Sequence, residues 1–333
     1  ATDAIGLEVG YRLIPMVDAR QGGELMARIK GVRKKLTQDL GFLIPAVHIR
    51  DNLELQPSSY RLLVHGVPVA EAVVYPDRDL ALNPGRVFGP LEGIPTKDPA
   101  FGMDAFWIER GAREHAQTLG YSVVDCSTVV ATHLSQVIQN HAQELFGHDE
   151  AQALLAQLAR QAPKLAEDLV PKLLPLTVFT RVLQSLLAEK VPIRHLRVIA
   201  EALAETAAQS QDPVVLSGRV RVALGRQIVQ EINGMDAELP VLTLGPALEQ
   251  VLQDTLRSGG AAVEPGLAER MHRSLADSAQ KQEQAGQPAV LLVPNTLRPM
   301  LARFTRQTIP GLHVLSFDEV PDSKRIRMVG AVA

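Results

Sequence analysis

Histidine is the commonest metal ligand in proteins, so the spacing of the histidines is the first test for a metal site. Nine histidines occur, and no two of them lie three or four residues apart. Two ligands on one helix face need that spacing. The pattern therefore favours surface or core imidazoles and predicts no metal site, with a site assembled from distant residues as the open alternative.

Serine nucleophiles come next. Ser127, His133 and Asp125 are close in sequence and could in principle form a catalytic triad, although almost any chain of this length supplies such a set. We predict instead that Ser127 caps the start of a helix. The sequence also lacks GxSxG, HExxH, GxxxxGK[ST] and a strand-linked GxGxxG. It therefore predicts no enzyme and no bound cofactor, and leaves a hydrolase with a split active site as a remote alternative.

A basic run suggests a binding surface at first sight. Its members are Arg28, Lys30, Arg33, Lys34 and Lys35. They lie on the polar face of a predicted amphipathic helix, and no aromatic side chains are interleaved to stack on bases. A solvated face, or one that meets an acidic neighbour, is favoured over nucleic acid or lipid.

The run TKDPAFG at 96–102 is more informative. It places an acidic residue, a proline and a large aromatic residue in a predicted loop, and loops held by rigid scaffolds often bind partners. From chemistry alone two interpretations stay open. Phe101 either fills the local core or projects as a binding residue.

The elements that position this loop begin with an α/β pattern. Residues 13–17 are predicted to form a short edge strand, and Leu25, Ile29, Val32, Leu36 and Leu40 recur at helical spacing before Gly41. Strands are predicted at 46–49, 60–64 and 67–75. Residues 76–97 are rich in Pro and Gly and predict a loop-rich insertion, followed by a strand at 106–108, a helix at 109–119 and a strand at 121–125.

Beyond Phe146 the pattern becomes almost entirely helical, up to a predicted helix over 214–232. After Asn233-Gly234 it returns to α/β, with strands at 241–244, 289–293 and 314–316. Predicted helices run to 256, over 264–284 and over 297–308, with a turn at 258–260. The alternation predicts a helical domain followed by a final α/β domain.

Length, composition and charge limit which classes of protein this sequence can belong to. At 333 residues, with 46% hydrophobic and 21% charged residues, the chain should fold into several domains. A net charge of −3 implies no polyanion partner, and the single Cys126 suits a reducing cytosol. No run of eighteen apolar residues occurs, so we expect this piece to be soluble.

Several long motifs together resemble one family, the FlhA family, in the same order over almost the whole chain. They include LEVGYRLIPMVD at 7–18, VHIRDNLELQP at 47–57, TKDPAFGMDAFWIE at 96–109, STVVATHLSQVI at 127–138, LLAEKVPIRHLRVIAEALAE at 186–205 and LRPMLARF at 297–304. The resemblance implies an export-gate protein of the flagellar type III secretion apparatus. The full-length protein would be embedded in the inner membrane, with this piece on the cytoplasmic face.

The resemblance also implies an α+β multidomain fold. A split thioredoxin-like subdomain would comprise residues 4–76 plus 126–145, with a ferredoxin-like or RRM-like insertion at 77–125. A helical third subdomain would follow at 146–225, and a C-terminal α/β fourth subdomain at 226–325.

In function, the resemblance implies a docking platform that binds flagellar export chaperones with their substrates, contacts other export-apparatus components and assembles into a nine-membered ring. It implies no cofactor, no metal and no nucleic acid. The equivalent subunit of a virulence injectisome is the alternative. The docking residues carried over from the family motifs are Asp98, Phe101, Thr132, Val124, Val129, Pro84 and Leu82.

Overall fold

The computed structural model describes residues 2–259 and 263–333. The chain divides into two compact units. The first runs to Glu150 and includes residues 192–194, and the second comprises 151–191 and the chain from His195 onward. The fold is mixed α/β with three four-stranded sheets among the described residues.

The first sheet of the first unit has the order β2-β1-β3-β4. Its strand β1 is antiparallel to β3 and parallel to β2, and the parallel pairing is possible because the helix over Leu25–Leu40 forms the crossover between β1 and β2. Alternate residues of β1 are buried, which gives the sheet one core face and one outer face. The strands are β1 (Ile5–Val9), β2 (Val47–Asp51), β3 (Ser59–Val64) and β4 (Val67–Val73).

The strand predicted at 13–17 is wrong. A 3-10 turn at Tyr11–Leu13 leads into the short helix α1 (Ile14–Val17), and Pro15 lies in its first turn, where its missing N–H is no loss. A second 3-10 turn (Ala19–Gln21) precedes α2 (Leu25–Leu40), which was predicted correctly. Gly41 ends α2 with φ 98°, and a side chain there would meet the Arg194 backbone.

The second sheet of this unit is antiparallel, in the order β6-β7-β5-β8. It includes two short strands inside the region predicted as loop-rich. One face packs on α3 around Ala81, Ile108 and Tyr121. The elements are β5 (Arg78–Leu82), β6 (Ile94–Lys97), β7 (Asp104–Glu109), a 3-10 turn (Arg110–Ala112), α3 (Arg113–Thr118) and β8 (Ser122–Asp125).

The helix α4 (Cys126–Asn140) follows β8 directly and packs against α2, β5 and β8. Its N-cap is Asp125, whose carboxylate accepts the Thr128 N–H at 2.8 Å. The predicted cap at Ser127 is therefore wrong, because β8 extends to Asp125 and the helix begins one residue later. A short helix, α5 (Ala142–Leu145), ends this segment.

Helices dominate the first part of the second unit. The predicted helix over 214–232 is two helices, α10 and α11, joined at Leu224 and Gly225. A Cβ on Gly225 would lie 2.2 Å from the Glu319 carbonyl oxygen, so only glycine allows this close approach. The elements are α6 (His148–Gln161), α7 (Pro163–Glu167), a kinked segment (Asp168–Leu173) with extended backbone at Val170, α8 (Leu176–Ala188), α9 (Leu196–Thr206), α10 (Pro213–Ala223) and α11 (Gly225–Asn233).

The third sheet, also in the second unit, is parallel, with the order β11-β10-β9-β12. Its last strand was not predicted, because most of its side chains are exposed and show no alternation. Of the turn predicted at 258–260, Gly260 lies outside the described residues. The elements are β9 (Glu238–Leu244), α12 (Pro246–Arg257), α13 (Pro265–Gln284), β10 (Ala289–Val293), α14 (Arg298–Thr305), β11 (Leu312–Ser316), a 3-10 turn (Phe317–Glu319) and β12 (Arg325–Val332).

A buried ionic cluster ties the segments of the second unit together. Glu319 accepts hydrogen bonds from Arg221 Nε at 2.9 Å and Nη2 at 3.0 Å, while Arg298 donates to both oxygens of Glu189 at 2.7 and 2.9 Å. Both arginines also donate to the Val314 carbonyl. Hydrogen bonds from Arg298 and the charges of both arginines outweigh the effect of burial, and they lower the pKa of Glu189.

Across residues 2–259 and 263–333, none of the helices is both long and apolar enough to cross a membrane.

Candidate binding site

The turn between β6 and β7 is organised by one side chain, Asp98. Its Oδ2 accepts the N–H groups of Ala100 at 3.1 Å and Phe101 at 2.9 Å, and its Oδ1 accepts the N–H of Met103 at 2.6 Å. The main chain of Asp98 closes the same turn through Met103 O at 2.8 Å and the N–H of Gly102 at 3.0 Å. Asp98 itself is only 7% exposed. The run DPAFGM therefore folds around the carboxylate of its first residue, Asp98.

Phe101 projects from this turn, with 60% of its surface exposed. Of the two interpretations left open by the sequence, the one in which Phe101 fills the local core is wrong. An aromatic side chain held in solvent on an ordered turn is available as an anchor for a partner, because large apolar groups gain most from being buried on binding.

A buried polar pair, Tyr60 and His133, lies within the electrostatic influence of Asp98. The Tyr60 hydroxyl and His133 Nδ1 share a hydrogen bond of 2.6 Å, and the two rings are 5.7 Å apart. Burial lowers the pKa of His133, and the nearby Asp98 charge opposes this shift. The Asp98 charge also adds to burial in raising the pKa of Tyr60. The charge of Asp98 in the turn therefore affects His133 on α4. The next residue along the helix from His133 towards its N-terminus is the half-buried Thr132.

The other predicted site residues are distributed over the same sheet and helix. Leu82 and Val124 are half-buried on β5 and β8, and the strand register puts their side chains on the sheet face opposite the α3 core. Pro84 is exposed on the loop after β5. Val129 is buried within α4 and so belongs to the packing under the site rather than to its surface.

At the start of α4, one member of the basic run meets an acidic residue. Arg28 donates to Asp125 at 2.8 Å, which agrees with the prediction of an acidic neighbour. Burial opposes ionisation of Asp125, but hydrogen bonds from Thr128 and the Arg28 charge outweigh it and lower the pKa of this carboxyl group. Arg33 donates to the carbonyls of Ile44 and Pro45, so this arginine has a structural role.

In the candidate set of Ser127, His133 and Asp125, the histidine and the aspartate have other hydrogen-bond partners. His133 Nδ1 is bonded to Tyr60, and the Asp125 carboxylate is occupied by Thr128 and Arg28. Among the described residues, no group of three or more His, Cys, Asp or Glu side chains is placed to hold a metal ion.

Phe88 and the Tyr60–His133 pair were not predicted from the sequence. Phe88 is 87% exposed on the loop between β5 and β6, and its N–H donates to the Leu119 carbonyl, near the start of β8. It therefore lies at the same end of the sheet as the Phe101 turn. The sequence signal that could have predicted an exposed Phe88 is its position in the loop segment between Gly85 and Pro90. The Tyr60–His133 pair had no local signal, because 73 residues separate its members.

Two α/β units and an exposed aromatic turn define a multisheet α/β protein with a candidate protein-binding loop. The chain belongs to the FHIPEP family, whose model matches residues 1–325. It is 52% identical over 330 residues to the flagellar biosynthesis protein FlhA of Salmonella typhimurium (strain LT2). The alignment covers 99% of this chain and 48% of that protein. The chain thus spans about half the length of the curated relatives that it matches.

Solved structures with the same fold include the Chlamydia pneumoniae CdsV protein in complex with CdsO. The TM-score is 0.88 at 23% identity, and the match covers 100% of this chain and 98% of that one. The nonameric EPEC SctV-C structure matches with a TM-score of 0.80 at 20% identity, covering 100% and 99% of the two chains. At these identities the likeness shows the shared fold.

Proposed function

We propose that this chain is the cytosolic docking platform of a flagellar type III protein export gate, and that it binds export chaperones together with their substrates. Whole-chain identity of 52% to FlhA supports the flagellar assignment over an injectisome, whose proteins match in fold at 20–24% identity. The observation that carries the docking role is the exposed Phe101 on an ordered turn.

In this proposal a chaperone segment inserts apolar side chains around Phe101. The half-buried Leu82, Val124 and Thr132, with the exposed Pro84, would provide the surrounding surface, while Val129 would support it from below. Apolar anchors that enter such a surface usually carry most of the binding free energy.

The same proposal includes the finer architecture and the assembly. The order β2-β1-β3-β4, with α2 between β1 and β2 and α4 after the inserted sheet, supports the split thioredoxin-like description with a ferredoxin-like insertion. The nonameric state of EPEC SctV-C supports a ring of nine copies on the cytoplasmic side of the inner membrane. The CdsV–CdsO complex supports contacts with other export-apparatus components, and we propose a binding role rather than catalysis.

The test is calorimetric titration of the 333-residue chain with purified flagellar export chaperones of the same organism, with and without their substrates. Phe101→Ala should weaken binding by about 1–3 kcal/mol, or roughly 5- to 150-fold in Kd, because it removes an exposed aromatic anchor. Phe317→Ala is the matched control, since Phe317 is a half-exposed phenylalanine of the second unit. Equal affinity of wild type and Phe101→Ala would reject the assignment of this site.

A further inference from the structure

The main chain of the β6–β7 turn depends on Asp98 almost completely. Pro99 has no N–H, and each of the next four residues donates its N–H to Asp98. Three of these bonds end on the carboxylate and one on the carbonyl. An ionised carboxylate makes stronger hydrogen bonds with backbone N–H groups than a neutral acceptor does. The conformation of the turn is therefore set by this one side chain.

We infer that Asp98 is a positioning residue, whose buried carboxylate holds the turn that presents Phe101, so that a partner meets an apolar ring there and no free carboxylate. The inference rests on the proposed function. It changes the role of Asp98 from a contact residue to a residue that acts through Phe101.

The geometry leaves little room for a direct contact through Asp98. A carboxylate has about four acceptor positions, and three are filled by the turn's own N–H groups at 2.6 to 3.1 Å. Because the residue is 93% shielded from solvent, a cationic group of a partner would have to displace these donors. The displaced N–H groups would then need new acceptors.

The charged residues around the turn limit the chemistry of the partner. Lys97 and Asp104, which flank the turn, pair with each other at 2.9 Å and are both exposed. The turn therefore offers Phe101 together with half-buried Pro99, Ala100 and Met103, while its one charged group, Asp98, is buried and bonded to backbone N–H groups. The complementary group on the partner is an aromatic or aliphatic side chain rather than a lysine or arginine.

A double-mutant cycle separates a positioning role from a contact role. Wild type, Asp98→Ala, Phe101→Ala and the double variant are titrated with the same purified chaperone. If Asp98 acts through Phe101, each single change weakens binding about tenfold, and Asp98→Ala weakens it less than about twofold when Phe101 is already absent. If Asp98 contacts the partner directly, the two losses multiply, which would overturn the inference.

Hydrogen exchange of the free chain supplies a readout that needs no partner. In Asp98→Ala the N–H groups of Ala100, Phe101 and Met103 should exchange at least about tenfold faster, because each loses its acceptor. Phe101→Ala should leave the N–H groups of Ala100 and Met103 protected. Unchanged exchange in Asp98→Ala would overturn the positioning role.

Asp98→Asn provides the second variant, in case the alanine variant does not fold. Its amide keeps one acceptor oxygen and replaces the other with a donor, so it should retain protection of two of the three N–H groups and bind with intermediate affinity. Full loss of binding with full protection of the turn would overturn the inference. Absence of binding by wild type would reject the proposed function, while the exchange experiment would still decide the role of Asp98.

Discussion

Asp98 in the first unit and Glu319 in the second are both buried carboxylates, but their donors differ. Asp98 is satisfied by backbone N–H groups two to five residues further along the chain. Glu319 is satisfied mainly by Arg221, which is 98 residues away, with Arg298 Nε at 3.5 Å. The first carboxylate thus shapes a local turn, and the second connects α10, α14 and the segment after β11.

The difference shows how similar chemistry shapes an exposed turn in one place and joins interior elements in another. A carboxylate that uses sequence-local donors can hold a loop rigid while the loop's other side chains stay in solvent, as Phe101 does. A carboxylate paired with arginines in the interior belongs to a cluster whose charges come from several elements. Removal of one member of this cluster leaves the charge of another member buried and unpaired.

The largest effect should come from the second-unit cluster. Arg221→Ala leaves Glu319 buried without its main partner, and we expect a loss of about 3–5 kcal/mol of stability. Urea unfolding monitored by circular dichroism would measure this loss of stability. Hydrogen exchange of the α10 and β11 N–H groups would show whether the loss is located at the cluster. A loss below about 1 kcal/mol would show that buried Glu319 does not depend on Arg221 for its stability.

A smaller effect is expected at the Tyr60–His133 pair. Tyr60→Phe removes the hydroxyl that shares a hydrogen bond with His133 Nδ1, and a buried group that loses its partner costs about 1–3 kcal/mol. Trp107 is the only tryptophan in the sequence and is buried in the first unit, so its fluorescence reports unfolding there. An unchanged urea midpoint would show that this pair does not support the site.

The same pair predicts a pH dependence. Burial lowers the pKa of folded His133 below its ordinary value of 6.5, with Asp98 opposing, so the unfolded chain binds a proton first. The His133 contribution to first-unit stability should therefore be present above about pH 6.5 and decrease as the pH falls towards the folded pKa.

The measurement is the Trp107 urea midpoint at pH 7.5 and pH 5.5 for wild type and His133→Gln. The glutamine variant should lose less stability between these two pH values, since it has no imidazole to titrate. Asp125 titrates in a separate window, because its pKa is lowered from 3.8 and its contribution is lost only at more acidic pH. An equal decrease in both proteins would remove His133 as the cause.

The smallest effect is expected where a carboxylate is paired on the surface. Arg273 lies 3.2 Å from Glu269 on α13, and both side chains are largely exposed. Arg273→Ala should change stability by less than about 0.5 kcal/mol, because solvent screens such pairs. This variant is also the matched control for Arg221→Ala, and a comparable loss in both would show that burial is not the deciding factor.

The sequence by itself determined the features that depend on local pattern. Apolar spacing predicted α2, the helices of the second unit and most strands, and the Pro-containing acidic run predicted the loop that carries Phe101. Local pattern also misled. Residues 13–17 have the composition of a strand, but Pro15 lies in the first turn of a helix, where its fixed φ fits equally well.

Only the tertiary structure decided the roles of individual side chains. The sequence placed Asp98 beside Phe101 but could not show that its carboxylate points inward to the turn, and it gave no sign that His133 pairs with Tyr60 or that Arg221 pairs with Glu319. Those contacts join residues 73 and 98 positions apart, and their geometry depends on how sheets and helices pack. Short-range periodicity carries no information about such distances.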